Sequence, residues 1–254
     1  MITIGTKIRY KFGLIIAWGA RALWTGKTDA AGKRTTRHPH IFFITSTINP
    51  SSCHLGENVM HLRSVYSADQ RLEQTLQTVD SIRRRIPKAL VLLLENSKLS
   101  VAQQAAFERA CDRVVSFADD EVAAMLRDGP NKGAGEVYML MKAAEILREY
   151  DFNILFKISG RYQLSDRFDI GRFPVDRFGF LKVGGVVSTR LYSVPAKLIG
   201  LYGRQLWACS IAARFGISIE DVISRGLSAL EVHAVSPLGV TGPLAVDSGV
   251  MIDE

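Results

Sequence analysis

Cysteine is scarce in this 254-residue chain: Cys53, Cys111 and Cys209 are odd in number and far apart. That pattern argues against a disulfide framework or a zinc site and suits a reducing compartment. Long apolar runs are also missing. A spanning helix needs about 20 apolar residues, and the apolar stretch within residues 1–26 is short and cut by Arg21. It is flanked by Arg21 and Trp24 rather than by a small-x-small site, which argues against a cleavable signal. Internal repeats and low-complexity tracts are lacking too. What is left is an ordinary soluble composition, 47% hydrophobic and 22% charged, on a chain long enough for one large or two small domains.

The formal charge of +7 has one source. Residues 1–38 hold Lys7, Arg9, Lys11, Arg21, Lys27, Lys33, Arg34 and Arg37 against Asp29 alone, and the remaining 24 basic residues meet 24 acidic ones. Strong nucleic-acid binding leans on phosphate neutralisation, so the neutral remainder argues against a nucleic-acid partner. The basic segment also carries Phe12, Leu14, Ile15, Ile16, Trp18, Leu23 and Trp24. Cations interleaved with tryptophan suit an anionic membrane surface. The expectation is a cytoplasmic protein held peripherally at the inner face of the cell membrane by residues 1–26. The same apolar residues also fit a helix packed on the domain or on a second copy of it. Residues 27–39 read as a polar linker, so 1–38 divides from a single domain over 39–254.

Ile41–Ile48 is an apolar run of strand length closed by Asn49-Pro50. The loop after it carries Cys53, His54 and His61, whose irregular spacing fits scattered loop residues better than a metal site. Ser67 and Gln70 have capping-box spacing before a helix to Ile86, with Leu72, Leu76, Val79 and Ile82 at helical intervals. Arg83, Arg84 and Arg85 sit at its carboxyl end, where positive charge is favoured. Leu90–Leu94 is a second strand, Ser100 and Gln103 open a helix to about Cys111, and Arg113–Phe117 is a third strand. Asp119, Asp120 and Glu121 put negative charge at a helix start. Asp128–Gly135 reads as a glycine-rich loop before a helix with Val137, Leu140, Met141, Ala144 and Leu147 on one face. Ile154–Ile158 is a buried strand that breaks at Ser159-Gly160. This alternation predicts an α/β fold with a mostly parallel sheet covered by helices. Farther on, Val183–Val187 and Thr189–Val194 read as strands or an extended hairpin. Pro195 suits the first turn of a helix to about Phe215, Ser218 opens a short helix, and Glu231–Val235 is a strand.

Ligands of an open α/β sheet bind at the carboxyl ends of its strands. There the chain offers Lys157, Ser159, Gly160 and Arg161. Asn131-Lys132-Gly133 precedes the helix before that strand, and Glu220-Asp221 with Arg225 follows about 60 residues later. This order resembles GT-A-fold nucleotide-sugar glycosyltransferases, especially the inverting family that builds bacterial polysaccharides. The resemblance spans about residues 41–235 and rests on order and spacing. It implies a GT-A-like (Rossmann-like) mostly parallel central sheet flanked by helices, a nucleotide-sugar donor, and a glycan or lipid-linked acceptor in surface-polysaccharide or lipopolysaccharide synthesis.

The chain departs from that family where Asp-x-Asp would bind a divalent cation; Ser159-Gly160-Arg161 stands there instead. The departure implies metal-independent transfer without a cofactor. Lys157 and Arg161 would neutralise the leaving diphosphate as fixed cations, and Gly160 would let backbone approach phosphate. The plain alternative makes Lys157 a solvent-facing strand residue and Arg161 a surface turn residue. By the same resemblance Asp221 is the candidate base, with Glu220 second; Ser218-x-x-Asp221 equally fits a capping box. Arg225 would pair with Asp221 or bind phosphate. Thr45, Ser46 and Thr47, Arg71 and Gln74, Glu95, and Asn131, Lys132 and Gly133 complete the donor candidates. Tyr162, Arg190 and Tyr192 are placed on the acceptor side, and His233 reads as structural. A sugar nucleotidyltransferase and a non-catalytic membrane-associated module are the alternatives. The first would carry a glycine-rich basic loop after its first strand, which TSTINPSS is not.

Overall fold

The apolar runs pair side by side in the computed structural model. It describes residues 36–50, 64–128, 132–213, 215–227, 231–244, 247 and 249–254. The basic segment 1–26, residues 27–35 of the linker, Cys53, His54, His61 and Asn131 lie outside the described residues. The strands are β1 Thr36–Arg37, β2 His40–Ser46, β3 Leu90–Glu95, β4 Arg113–Ser116, β5 Tyr150–Asp151, β6 Ile154–Ser159, β7 Gln163–Leu164, β8 Phe178–Val183, β9 Val186–Pro195, β10 Val232–Ala234, β11 Val240–Pro243 and β12 Met251–Asp253. The helices are α1 Ala68–Arg85, α2 Val101–Ala110, α3 Glu121–Asp128, α4 Lys132–Ile146, α5 Ile199–Ala213 and α6 Ile219–Gly226.

Seven strands form the central sheet in the order β10-β8-β9-β6-β2-β3-β4. β9 runs antiparallel to both its neighbours, and every other adjacent pair is parallel. The expected α/β architecture is therefore the one that forms. Continuous apolar runs such as LVLLLE suit strands buried on both faces. Period-2 geometry sends alternate residues to opposite layers. Ile41 and Phe43 join the core under α4, α5 and α6, while Phe42 and Ile44 join the core under α1 and α2. On the second side Phe156 stacks on Phe42 with ring centroids 4.8 Å apart, and Phe173 meets Phe156 edge-on at 5.0 Å. Among the described residues no helix is long and apolar enough to cross a membrane.

Both expected capping boxes are present, at Ser67/Gln70 and Ser100/Gln103. Asp120 Oδ1 accepts from the Val122 and Ala123 amides, so the acidic cluster does start a helix. One expectation shifts: the second half of the expected glycine-rich loop is helix, because α4 begins at Lys132. Of the two readings for 183–194, strands or an extended hairpin, the hairpin is the one that forms, with Gly184 (φ +59°) and Gly185 (φ +82°) as the turn between β8 and β9. Two consecutive positive φ angles need glycine there.

The chain passes outward through β2, β3 and β4, then returns to lay β6 on the other side of β2. Strand order reverses at that boundary. A crevice opens there, outside the carboxyl ends of the strands, where open α/β sheets bind ligands.

Candidate active site

The crevice holds a cavity of about 330 Å³. Its floor is the end of β2, Thr45-Ser46-Thr47, beside the turn Ser159-Gly160-Arg161 that follows β6. The turn is pinned: Gly160 N donates to the Thr45 carbonyl at 3.0 Å, and Thr75 Oγ1 of α1 donates to the Gly160 carbonyl at 3.0 Å. A Cβ at Gly160 would lie 2.8 Å from that hydroxyl, so any side chain here forces the Thr75 hydroxyl to shift.

Three guanidinium groups line the cavity. Arg71 of α1 donates to the Thr47 carbonyl, and Arg127 of α3 donates to the Asn96 carbonyl at 2.8 Å. Arg161 lies over the Tyr162 ring, 5.7 Å from its centroid. Its Nε is buried and, among the described residues, has no hydrogen-bond partner, a feature that calls for an unfilled acceptor.

Two carboxylates line it as well. Glu136 of α4 accepts at Oε1 from Thr45 Oγ1 (2.8 Å) and from Lys157 Nζ (2.5 Å). Burial pushes the Glu136 carboxyl up. The adjacent Lys157 ammonium, the Lys157 and Thr45 hydrogen bonds and the Arg161 charge outweigh that, so its pKa ends below the usual value. Glu220, in the first turn of α6, accepts from Thr189 Oγ1 of β9 at 2.6 Å.

The structure thus brings together Thr45, Ser46, Thr47, Arg71, Gly133, Ser159, Gly160, Arg161 and Glu220. Other expected residues it places elsewhere. Lys157 is not a solvent-facing strand residue, and it lies outside the cavity lining. It is 1% exposed, and its ammonium meets Glu136, Ser159 Oγ (2.8 Å) and the Thr189 carbonyl (2.7 Å). A buried cation requires such partners. Glu95 is fully buried and accepts from the Ile48 and Ser97 amides, tying together the segments after β2 and β3. Burial pushes its carboxyl up. Gln74 is outside the cavity lining, and its buried Oε1 has no partner among the described residues.

Asp221 stays at the helix cap, its amide bound to Ser218 Oγ at 3.1 Å, and Glu220 rather than Asp221 reaches the cavity. Arg225 sits outside the lining, on exposed α6 surface. The acceptor-side trio is engaged within the protein. Tyr162 is 3% exposed and accepts from Arg190 Nε, Arg190 pairs with Glu254, and Tyr192 shares a 2.7 Å hydrogen bond with Tyr202. Lys132 begins α4.

Glu136, Arg127, Asn96 and Thr75 escaped sequence reasoning. One signal pointed at Glu136: a lysine inside an apolar strand, ILFKIS, demands a buried anion.

No family model matches the chain, and no curated protein does. Solved structures do. Core-mannan synthase A from Aspergillus fumigatus, in its Mn/GDP form, has a TM-score of 0.50 at 11% identity, covering 84% of this chain and 76% of its own. A Pyrobaculum calidifontis mannosyltransferase in complex with GDP-Man and Mn2+ has a TM-score of 0.41 at 10% identity, with coverages of 93% and 66%. Mouse xyloside xylosyltransferase 1 has 0.40 at 9%, with coverages of 78% and 85%. At such identities the likeness concerns the fold, and the first structure carries it. The chain therefore has the GT-A-like α/β fold that its sequence pattern resembles.

Proposed function

We propose that the chain is a glycosyltransferase that moves a sugar from a nucleotide-sugar donor to a glycan or lipid-linked acceptor. The observation that carries this reading is a cavity at the switch point of a GT-A-like sheet, lined by three guanidiniums and a carboxylate on α6. In the reaction an acceptor hydroxyl oxygen bonds to the anomeric carbon. The bond from that carbon to the donor phosphate oxygen breaks, and its electron pair leaves with the nucleoside diphosphate. The hydroxyl proton passes to Glu220, whose Oε1 is steadied by Thr189. The outcome is inversion by direct displacement.

The divalent ion used by this fold class does not fit the residues present. Where a carboxylate pair would stand, the turn offers Ser159, Gly160 and the Arg161 guanidinium. Glu136 already holds Lys157, and the described residues contain no group of three or more His, Cys, Asp or Glu able to hold a metal ion. Arg161, Arg71 and Arg127 instead neutralise the departing diphosphate. We place the enzyme in bacterial surface-polysaccharide synthesis, with residues 1–26 on the anionic inner face of the cytoplasmic membrane. The charge of residues 1–38 supports that placement.

The test is hydrolysis and transfer across a nucleotide-sugar panel, with and without a chelator. Turnover that survives chelation supports the reading, and turnover abolished by it removes the metal-independent mechanism. Glu220→Gln is expected to lower kcat by about 100-fold or more; unchanged kcat removes Glu220 as the base. Flotation of the full chain with anionic vesicles, against a chain lacking residues 1–38, tests the membrane placement.

A further inference from the structure

The cavity is electrically polarised along the carboxyl edge of the sheet. Arg127 stands over the end of β3, bonded to Asn96, and Arg71 over the end of β2, bonded to Thr47. Glu136 bridges β2 and β6 through Thr45 and Lys157. Glu220 lies over β9, bonded to Thr189. Sheet order therefore sets cations toward one end and two carboxylates toward the other, with Arg161 between them. The carboxylates are joined through the protein: Lys157 binds Glu136 and the Thr189 carbonyl, and the Thr189 hydroxyl binds Glu220.

Glu136 is built for more than neutralising Lys157. Both of its bonds fall on Oε1, and among the described residues Oε2 has no hydrogen-bond partner. Its side chain is 24% exposed although Lys157 is 1% exposed, so the carboxylate reaches the cavity while the lysine lies behind it. An ionised carboxylate only accepts hydrogen bonds. It therefore welcomes a hydroxyl and repels a second carboxylate or a phosphate.

We propose that Glu136 is a substrate-binding carboxylate that accepts a hydrogen bond from a hydroxyl of the transferred sugar, and that Lys157 is its positioning residue. Resting on the glycosyltransferase reading, this assigns the donor class: nucleotide diphosphate sugars with a neutral, hydroxyl-bearing sugar, to the exclusion of uronates. The diphosphate lies toward the arginines and the sugar toward Glu136 and Glu220. The charged and titratable groups facing Glu136 are Lys157 of β6, Arg161 of the turn, Tyr192 of β9 and Tyr202 of α5. The ammonium is the closest cation among them and keeps Glu136 ionised at neutral pH.

The test is calorimetric binding to the full chain. UDP and GDP are measured first. For the nucleotide that binds, the neutral sugar (UDP-glucose or GDP-mannose) is compared with its uronate (UDP-glucuronate or GDP-mannuronate). The neutral donor is expected to bind at least about tenfold tighter, the worth of one hydrogen bond to a charged group. Glu136→Gln is expected to erase that preference while leaving affinity for the free nucleoside diphosphate within about twofold. If neither UDP nor GDP binds the unaltered chain, the glycosyltransferase reading fails and this assignment with it. If the diphosphate binds but the uronate binds as well as the neutral donor, the assignment alone is overturned. Equal loss of diphosphate and sugar donor in Glu136→Gln also overturns it. Should that variant not fold, the comparison on the unaltered chain still decides. Lys157→Met, measured with the same ligands, is expected to make neutral-donor affinity fall off at higher pH than in the unaltered chain; an unmoved pH profile removes Lys157 as the positioning residue.

Discussion

Strand β6 and the turn that follows it carry one cation each, four residues apart, and the fold treats them oppositely. Lys157 is sealed within the sheet layer, its ammonium matched by Glu136, Ser159 and Thr189. Arg161 reaches the cavity and keeps a buried Nε that has no partner among the described residues. Equal formal charges thus differ in what they offer a ligand. A charge counts toward binding only after its own protein partners are subtracted, and in a strand interior burial forces that subtraction to near completion.

The largest expected effect breaks the comparison on the strand side. Lys157→Met leaves Glu136 without its cation and is expected to destabilise the protein by about 3 kcal/mol in urea unfolding. Lys157→Met/Glu136→Leu should recover most of that loss. The pH dependence supplies a signed check. The Glu136 carboxyl sits below its ordinary value of 4.5, so its stabilising share is complete above 4.5 and is lost as pH falls through the lower folded value. In Lys157→Met burial dominates and the carboxyl rises. Its contribution then reverses: stability falls as pH rises from 4.5 through the raised value.

On the turn side, Arg161→Ala is expected to cost about 100-fold in kcat/KM, or about 2.7 kcal/mol, with less than about 1 kcal/mol of stability. A large stability loss with intact turnover would invert the comparison. Gly160→Ala tests the support of the turn: its Cβ would meet Thr75 Oγ1 at 2.8 Å. A stability loss of about 1–3 kcal/mol is expected, and pairing it with Thr75→Ala should recover part. The smallest effect is one helix away. Asp221→Asn keeps a side chain of similar size and polarity beside the α6 cap and should leave turnover within about twofold, whereas a collapse of turnover would restore Asp221 as the base.

Local chemistry was legible in the sequence where its cause is local. Ser67 with Gln70, and Ser100 with Gln103, form the capping boxes that their spacing announces. The segments Ile41–Ile44 and Leu90–Leu94 lie in strands because nothing polar interrupts them. The site was legible as a place, at the ends of β2 and β6, but less so as a set of partners. Lys157 and Glu136 meet because α4 packs on the face of the sheet where β6 lies beside β2, and no spacing rule encodes that meeting. Glu220 and Asp221 are adjacent in sequence, yet helical geometry turns one to the cavity and keeps the other beside the cap. Gly133 and Gly135 weaken a helix by propensity, and packing of Val137, Leu140 and Ala143 on the sheet overrides it.

The reversed strand β9 has a consequence for how this molecule can diversify. Because β9 runs against β6, it is the beginning of β9 that faces the cleft, and the Gly184–Gly185 turn projects from the same edge of the sheet. Val183 and Val186 beside that turn are 61% and 40% exposed. Doubling the length of a flexible loop costs only about 0.6 kcal/mol. Residues inserted at this hairpin tip would extend the carboxyl-end rim of the sheet while Thr189, the other six strands of the central sheet and both cores kept their register. Under the proposed transfer reaction, the tip is the graft point to try for redesigning acceptor choice.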